Sequence, residues 1–316
     1  RNEYLLERSG EKYGVKSLYE DYKDMLAAEV LDAVILCLPP MFHSDAVDFF
    51  ITNSVHVFCE KPVGMDSQAL KRLLKQAEEK SLVLHAGYHN RFIKTFTDAR
   101  DLVESGKLGR LLQFNLTATL GGPNISWEPK SGWYHSRAGG GVTFDAGSHM
   151  LDLLHYLTGL RVAEASVCAT TTDPNNELPD QVAVCVKTSE GVIGTVNIGW
   201  GGKTAIQAVT LYGTSGHIIV TPTALTFRSS KHNKITDFFD YLGSAYRLAR
   251  GIVSMKIKSG PPPQYQEQME RFIEAVRPPS SEKELMLLDS NAFVVLSALD
   301  IIQSQVMDEA CNDGGK

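Results

Sequence analysis

The stretch DAVILCL (Asp32–Leu38), followed at once by PPMFH (Pro39–His43), decides how this chain reads. After Asp32, six residues form a continuous apolar run too short for a packed helix, and two prolines that no ladder tolerates end it; such a run is a strand buried on both faces of a parallel sheet. Reading outward, a helix spans His43 to Thr52, a strand Val55 to Cys59, a helix Asp66 to Lys80 with Asp66 or Ser67 as N-cap, and a third strand Leu82 to Ala86. Upstream, Asn2 to Tyr13 is polar and helix-prone. Strands and helices that alternate in this way wire a βαβαβ unit, whose right-handed crossovers give a doubly wound sheet.

After Phe92 the rhythm changes. A helix (Thr95 to Ser105), a strand (Arg110 to Leu120), a glycine-rich loop and a helix near Phe144 to Thr158 precede six strand-like runs at 162–172, 181–189, 192–200, 206–212, 217–221 and 224–228. Turns at Ser189-Glu-Gly191 and Gly213-Thr-Ser-Gly216 make these consecutive antiparallel strands. With helices at Gln264 to Val276 and Glu284 to Gln305, the second unit reads as α+β, an open antiparallel sheet with helices on one face. The expected division is 1–92 and 93–316. The outward face is expected to carry Val184, Val186, Val196 and Ile198 and to mediate a homodimer or homotetramer.

The formal net charge of -6, from 31 Lys+Arg against 37 Asp+Glu, argues against nucleic acid and for a small-molecule partner. No run approaches the ~18 apolar residues of a membrane span. The five cysteines lack CxxC spacing and sit mostly in apolar runs, where a reduced thiol packs as a small hydrophobe; this fits a cytoplasmic location. Sequons at Asn115 and Asn124 are read as chance. Segment 228–258, with seven Lys/Arg and two acidic residues among aromatic and aliphatic positions, reads as a helical excursion packed on the second unit or on a partner subunit.

Chemistry concentrates in four places: Leu38 to His43 after the first strand, Cys59-Glu60-Lys61-Pro62 after the second, Gly87-Tyr-His-Asn-Arg-Phe92 after the third, and Gly139-Gly-Gly141 through Asp145-Ala-Gly-Ser-His149 to Asp152. Lys61 lies just past a strand's carboxyl end, where open α/β sheets bind ligands. Asp145 and His149, four apart on a helix, share one face, so the carboxylate is expected to orient the imidazole for proton transfer. Asp152 is read as supporting the substrate or its neighbours. His149, Asp152 and His155 do not make a metal site, because six helical residues place the two imidazoles about 120° apart; His155 is structural. Tyr88 to Arg91 and the loop from Trp127 through Trp133, Tyr134 and His135 offer aromatic faces and donors of the sort that hold polyols.

In order and spacing these motifs resemble the glucose-fructose oxidoreductase and inositol dehydrogenase family (Gfo/Idh/MocA), essentially from end to end. The resemblance implies a Rossmann-type domain, NAD or NADP as cofactor, and hydride transfer with a secondary alcohol of a sugar, cyclitol or similar polyol. It implies Lys61, Asp145 and His149 as catalytic residues, Pro39, Pro40, His43, Glu60, Lys61 and Asn90 at the cofactor, and Lys61, Asn90, Trp133, Asp145 and His149 at the substrate. A lysine ammonium there stabilises a developing alkoxide; Glu60 either pairs with it or is solvated, and Arg91 braces the domain junction. Other relatives use transient oxidation for elimination or glycoside cleavage, and a redox-silent sugar-binding regulator shares the architecture. The sequence holds no Gly-x-Gly-x-x-Gly turn between a strand and a helix, so the dinucleotide domain is expected to be incomplete, lacking its first strand and glycine loop.

Overall fold

The computed structural model describes residues 3–121, 132–230, 262–277 and 290–313. Two helices open the chain, α1 (Glu3–Tyr13) and α2 (Tyr22–Ala28). The sequence reading missed α2, although Asp21 caps it by accepting a 2.8 Å hydrogen bond from the Lys23 amide. Strands β1 (Ala33–Leu36), β2 (His56–Cys59) and β3 (Leu84–Ala86) form an all-parallel sheet in that order, crossed by α3 (His43–Thr52) and α4 (Ser67–Glu79). Asp66 is the N-cap of α4, its carboxylate accepting from the Ala69 amide at 2.8 Å. Val47, Phe50, Ile51, Val57, Leu70 and Leu84 are buried together, each worth roughly 1.5–3 kcal/mol of transfer free energy. β1 departs from the doubly buried expectation, since Ile35 is 51% exposed. As the outer strand of this sheet, it has no described neighbour on one side.

Beyond a short 3₁₀ turn (His89–Phe92), α5 (Lys94–Glu104) leads into the second sheet. Its strands are β4 (Leu111–Thr119), β5 (Val162–Thr170), β6 (Gln181–Thr188), β7 (Ile193–Gly199), β8 (Ile206–Gly213), β9 (Gly216–Val220) and β10 (Leu225–Ser229). Their order is β10-β9-β8-β4-β7-β6-β5. One pairing differs from the consecutive antiparallel expectation: β4 inserts between β7 and β8 and runs parallel to β7, so the sheet is mixed. Pairing across a long sequence separation leaves no local signal; the turns at Ser189–Gly191, joining β6 to β7, and at Gly213–Gly216, joining β8 to β9, were readable.

Helices α6 (Ser148–Thr158) and α8 (Ser290–Asp313) cover one face of this sheet. Val184, Val186, Val196 and Ile198 point into that core, correcting their outward assignment. The alternation was right but its phase was inverted, because the buried face is fixed by where the helices return. The open face carries Asn115, Thr195 and Asn197, joined by side-chain hydrogen bonds, together with Cys185. Hence Cys168 and Cys185 are exposed, as is Cys37, and of the described cysteines only Cys59 packs as a buried thiol. Helix α7 (Pro263–Val276) crosses back to the first sheet, where Phe272 packs on Phe58 and Val83. Residues 231–258 of the basic segment, Trp127 and Asn124 lie outside the described residues.

Candidate active site

The carboxyl ends of β1, β2 and β3 present Leu38–Pro40, Glu60–Pro62 and Gly87–Asn90 along one rim. Prolines shape it: Pro39 ends β1 in extended conformation, Pro40 opens a 3₁₀ turn, and the Lys61–Pro62 peptide is cis. His43 is fully buried, with Nδ1 2.7 Å from the Pro62 carbonyl and Nε2 2.7 Å from the Leu38 carbonyl. Both ring nitrogens are thus taken by backbone, so the ring ties two rim loops together and presents no spare polar atom to a cofactor. Burial pushes its pKa down, against the two carbonyls, which push it up.

From the second unit a π-helical turn, Thr143–Gly147, runs straight into α6. Lys61 Nζ donates to the Asp145 carbonyl at 3.0 Å and to Asp145 Oδ1 at 2.9 Å, while Trp200 Nε1 donates to Asp145 Oδ2 at 3.3 Å. This corrects the expected Asp145–His149 partnership. The wider π turn breaks the α-helical register that would stack residues four apart, and the carboxylate turns across the cleft to an ammonium instead. His149 lies edge-on to His89, ring centroids 5.0 Å apart, and its Nδ1 is buried without a hydrogen-bond partner. Burial, then the charge of Lys61 and then His89, hold the His149 imidazole well below its ordinary pKa, so it is neutral at physiological pH.

Glu60 accepts a 3.2 Å hydrogen bond from the Lys61 amide, and burial raises its pKa against the Lys61 amide and ammonium. His89 stacks on Tyr265 of α7 at 4.6 Å, with its pKa pushed down to about 4 by burial and by Lys61. The pKa of Tyr134 is raised by burial, then by the charges of Asp145 and Glu60. Trp133 stacks on Tyr134 at 3.6 Å. Asn90 is buried at the end of the third rim segment. Arg91 and Asp152 form a buried two-pronged ion pair, with Nε 2.9 Å from each carboxylate oxygen, and Arg91 lies against the Tyr88 ring. Asp152 therefore braces Arg91. His155 Nδ1 meets the Leu160 carbonyl at 3.1 Å, a helix-end contact.

Residues 2–88 match the model of an oxidoreductase family with an NAD-binding Rossmann fold, and residues 96–219 match the Gfo/Idh/MocA C-terminal domain. The chain belongs to the Gfo/Idh/MocA oxidoreductase family. A myo-inositol 2-dehydrogenase from Thermotoga maritima is 24% identical over 268 residues, 80% of this chain and 77% of the relative. The WlbA dehydrogenase from Bordetella pertussis, in complex with NADH and UDP-GlcNAcA, superposes with a TM-score of 0.80 at 18% identity over 97% of this chain and 86% of that one. A levoglucosan dehydrogenase in complex with NADH and levoglucosan gives a TM-score of 0.76 at 18% identity over 98% and 86%. At that identity the two structures share the fold.

For a Gfo/Idh/MocA oxidoreductase the cofactor is NAD, and the rim fits its nicotinamide half. The crevice outside parallel strand ends is where such folds bind ligands, and here it keeps Lys61, Glu60 and Asn90 beside two buried polar atoms, Tyr88 Oη and His149 Nδ1, that have no protein partner among the described residues. Four residues at this site escaped the sequence reading or were left without a role. Trp200 and Tyr265 come from distant elements, and nothing in their local sequence signals the site. His89 and Tyr134 sit inside quoted motifs but were read only as general donors and aromatic faces.

Proposed function

We propose that this NAD-dependent oxidoreductase oxidises a secondary alcohol of a sugar or cyclitol, reversibly, with Lys61 and His149 acting on the substrate hydroxyl. The observation that carries this is the tethered ammonium. Two of the three Lys61 N–H donors are spent on Asp145, which fixes the nitrogen and leaves one donor for an oxygen in the cleft. An ammonium so held stabilises an alkoxide as the carbon–hydrogen bond weakens. Bound NAD supplies the hydride acceptor. His149, neutral and beside Lys61, takes the hydroxyl proton and returns it in the reverse direction. Asp145 is the positioning residue for Lys61, Asn90 and Trp133 line the substrate side, and Pro39, Pro40 and Glu60 shape the cofactor side. The myo-inositol and levoglucosan enzymes among its relatives and fold neighbours support a polyhydroxylated ring.

We also infer that the working division falls at Phe92/Ile93, that the open sheet face joins two copies of the chain, and that the unpaired thiols suit the cytoplasm. No described helix is long and apolar enough to cross a membrane. The test is reduction of NAD by a panel of sugars and cyclitols, followed by absorbance, with the substrate deuterated at the carbinol carbon. A primary isotope effect on the reactive member is expected; a protein that binds NAD and reduces it with no member of the panel rejects the reading.

A further inference from the structure

Resting on the role assigned to Lys61, we propose that Trp200 is a further positioning residue for the reaction: its indole N–H fixes the Asp145 carboxylate that tethers the ammonium. The tether has a rigid arm and a loose one. The Asp145 carbonyl, which accepts from Lys61 Nζ at 3.0 Å, belongs to the backbone of the π turn. The carboxylate turns about its own bonds, and with the side chain 28% exposed, water competes for it. Lys61 donates to Oδ1 at 2.9 Å and Trp200 Nε1 to Oδ2 at 3.3 Å, so two donors grip different oxygens and oppose that rotation.

The indole is placed without help from the pair it serves. Gly147 of the π turn lies against Ile198 of β7, and Trp200, two residues further along the same alternation, comes level with Asp145. Trp200 is buried; its amide donates to the Asp180 carbonyl at 2.9 Å, and its carbonyl accepts from Gln181 Nε2. His135 meets the indole edge-on, ring centroids 6.3 Å apart. That imidazole is itself bonded to Asn176 Oδ1, and the His135 carbonyl accepts from the Glu177 amide at 2.9 Å. Asp180 winds the loop that carries both: buried, its carboxylate accepts from the Thr172 and Asp173 amides and from Asn176 Nδ2, at 2.8–3.1 Å. A donor fixed from behind in this way needs no realignment as an alkoxide forms, and it acts on the reaction through Asp145 and Lys61.

The experiment is a double-mutant cycle of Trp200→Phe with Asp145→Ala in the full chain, read in two ways. One is kcat with NAD for the polyol that reduces it. The other is the rate at which acetic anhydride acylates Lys61, followed by peptide mass spectrometry, which needs the amine released from Asp145 but no turnover. Trp200→Phe is expected to lower kcat about tenfold with NADH affinity unchanged, and to speed acylation. In the Asp145→Ala background the same change should alter neither, because the carboxylate through which the indole acts is gone. Trp200→β-(3-benzothienyl)alanine, which keeps the ring shape and puts sulfur in place of the N–H, should reproduce Trp200→Phe and serves where Phe disturbs folding. Wild-type kcat and acylation in these variants overturn the proposal, and so does an equal change in both backgrounds, the mark of packing alone. If acylation follows the expected cycle but no polyol reduces NAD, the tether stands and the proposed reaction fails.

Discussion

At the scale of single residues, the weight falls on His149 and on the pair behind it. His149→Ala should lower turnover by about 10²–10⁴-fold while leaving NAD affinity nearly unchanged, the pattern of a lost proton-transfer group. Its pH behaviour follows from its surroundings. Activity that needs the neutral ring is lost as pH falls through the His149 pKa, and burial with the Lys61 charge places that pKa well below 6.5. The acid limb of kcat/KM should therefore lie below the ordinary histidine range, with a plateau through neutrality; a limb at or above 6.5 would show that another group carries the proton. Behind the site, Asp152→Asn leaves Arg91 charged, buried and unpaired, and should cost about 3–5 kcal/mol in denaturant unfolding. Replacing both, Arg91→Met with Asp152→Leu, should recover most of that loss, since the pair's own net worth is small.

Among the elements, α7 brings a late part of the chain back onto the first sheet. It seals the face of the first sheet with Phe272, closes over His85, and brings Tyr265 to His89. His85 is 2% exposed and stacked on Phe58, and burial, with Arg91 and Arg271 nearby, holds its pKa down to about 4. The unfolded chain takes up that proton near ~6.5 and the folded one does not, so stability is complete above that pH and falls as pH drops toward 4. The loss should reach roughly 2–4 kcal/mol for this one group. Thermal melts across this range should show the drop, and His85→Leu should make it smaller by that amount, leaving the part that His89 and His149 contribute. The loop before the π turn has its own constraint: a Cβ at Gly139 would overlap the Trp133 carbonyl. Gly139→Ala should therefore displace the Trp133–Tyr134 stack and raise KM for the substrate about tenfold or more, with a smaller change in NAD affinity.

For the whole molecule, the open face of the seven-stranded sheet has no helical cover among the described residues. Its centre is polar and paired along the ladder through Asn115, Thr195 and Asn197, with Ile193, Tyr212 and Ile219 exposed toward its margins. A face-to-face dimer there would need to bury on the order of 1,600 Å² in total to persist at micromolar concentration. Light scattering should report twice the chain mass, and Asn197→Arg, which sets like charges opposite one another across a two-fold axis, should halve it without altering the far-ultraviolet circular dichroism. A wild-type monomer at micromolar concentration rejects this arrangement.

Sequence by itself determined the wiring. The DAVILCL run, the prolines that stop it, the Asp66 cap and the alternating runs after 162 each act over a few residues, and their periodicity survives in the fold. The rim motifs around Lys61 and the stretch from Asp145 to His149 were legible because their order along the chain is their order around the site. What the tertiary structure alone decided were matters of long-range partnership. The parallel insertion of β4, the inward turn of Val184 and Ile198, the return of α7 and the arrival of Trp200 depend on pairings tens to hundreds of residues apart. The Asp145 carboxylate is the clearest case: helical spacing allowed it His149, yet the charge of Lys61, brought across the cleft from 84 residues away, is a stronger partner than a neutral imidazole. Local spacing sets what a side chain can reach; electrostatics in the assembled cleft sets what it takes.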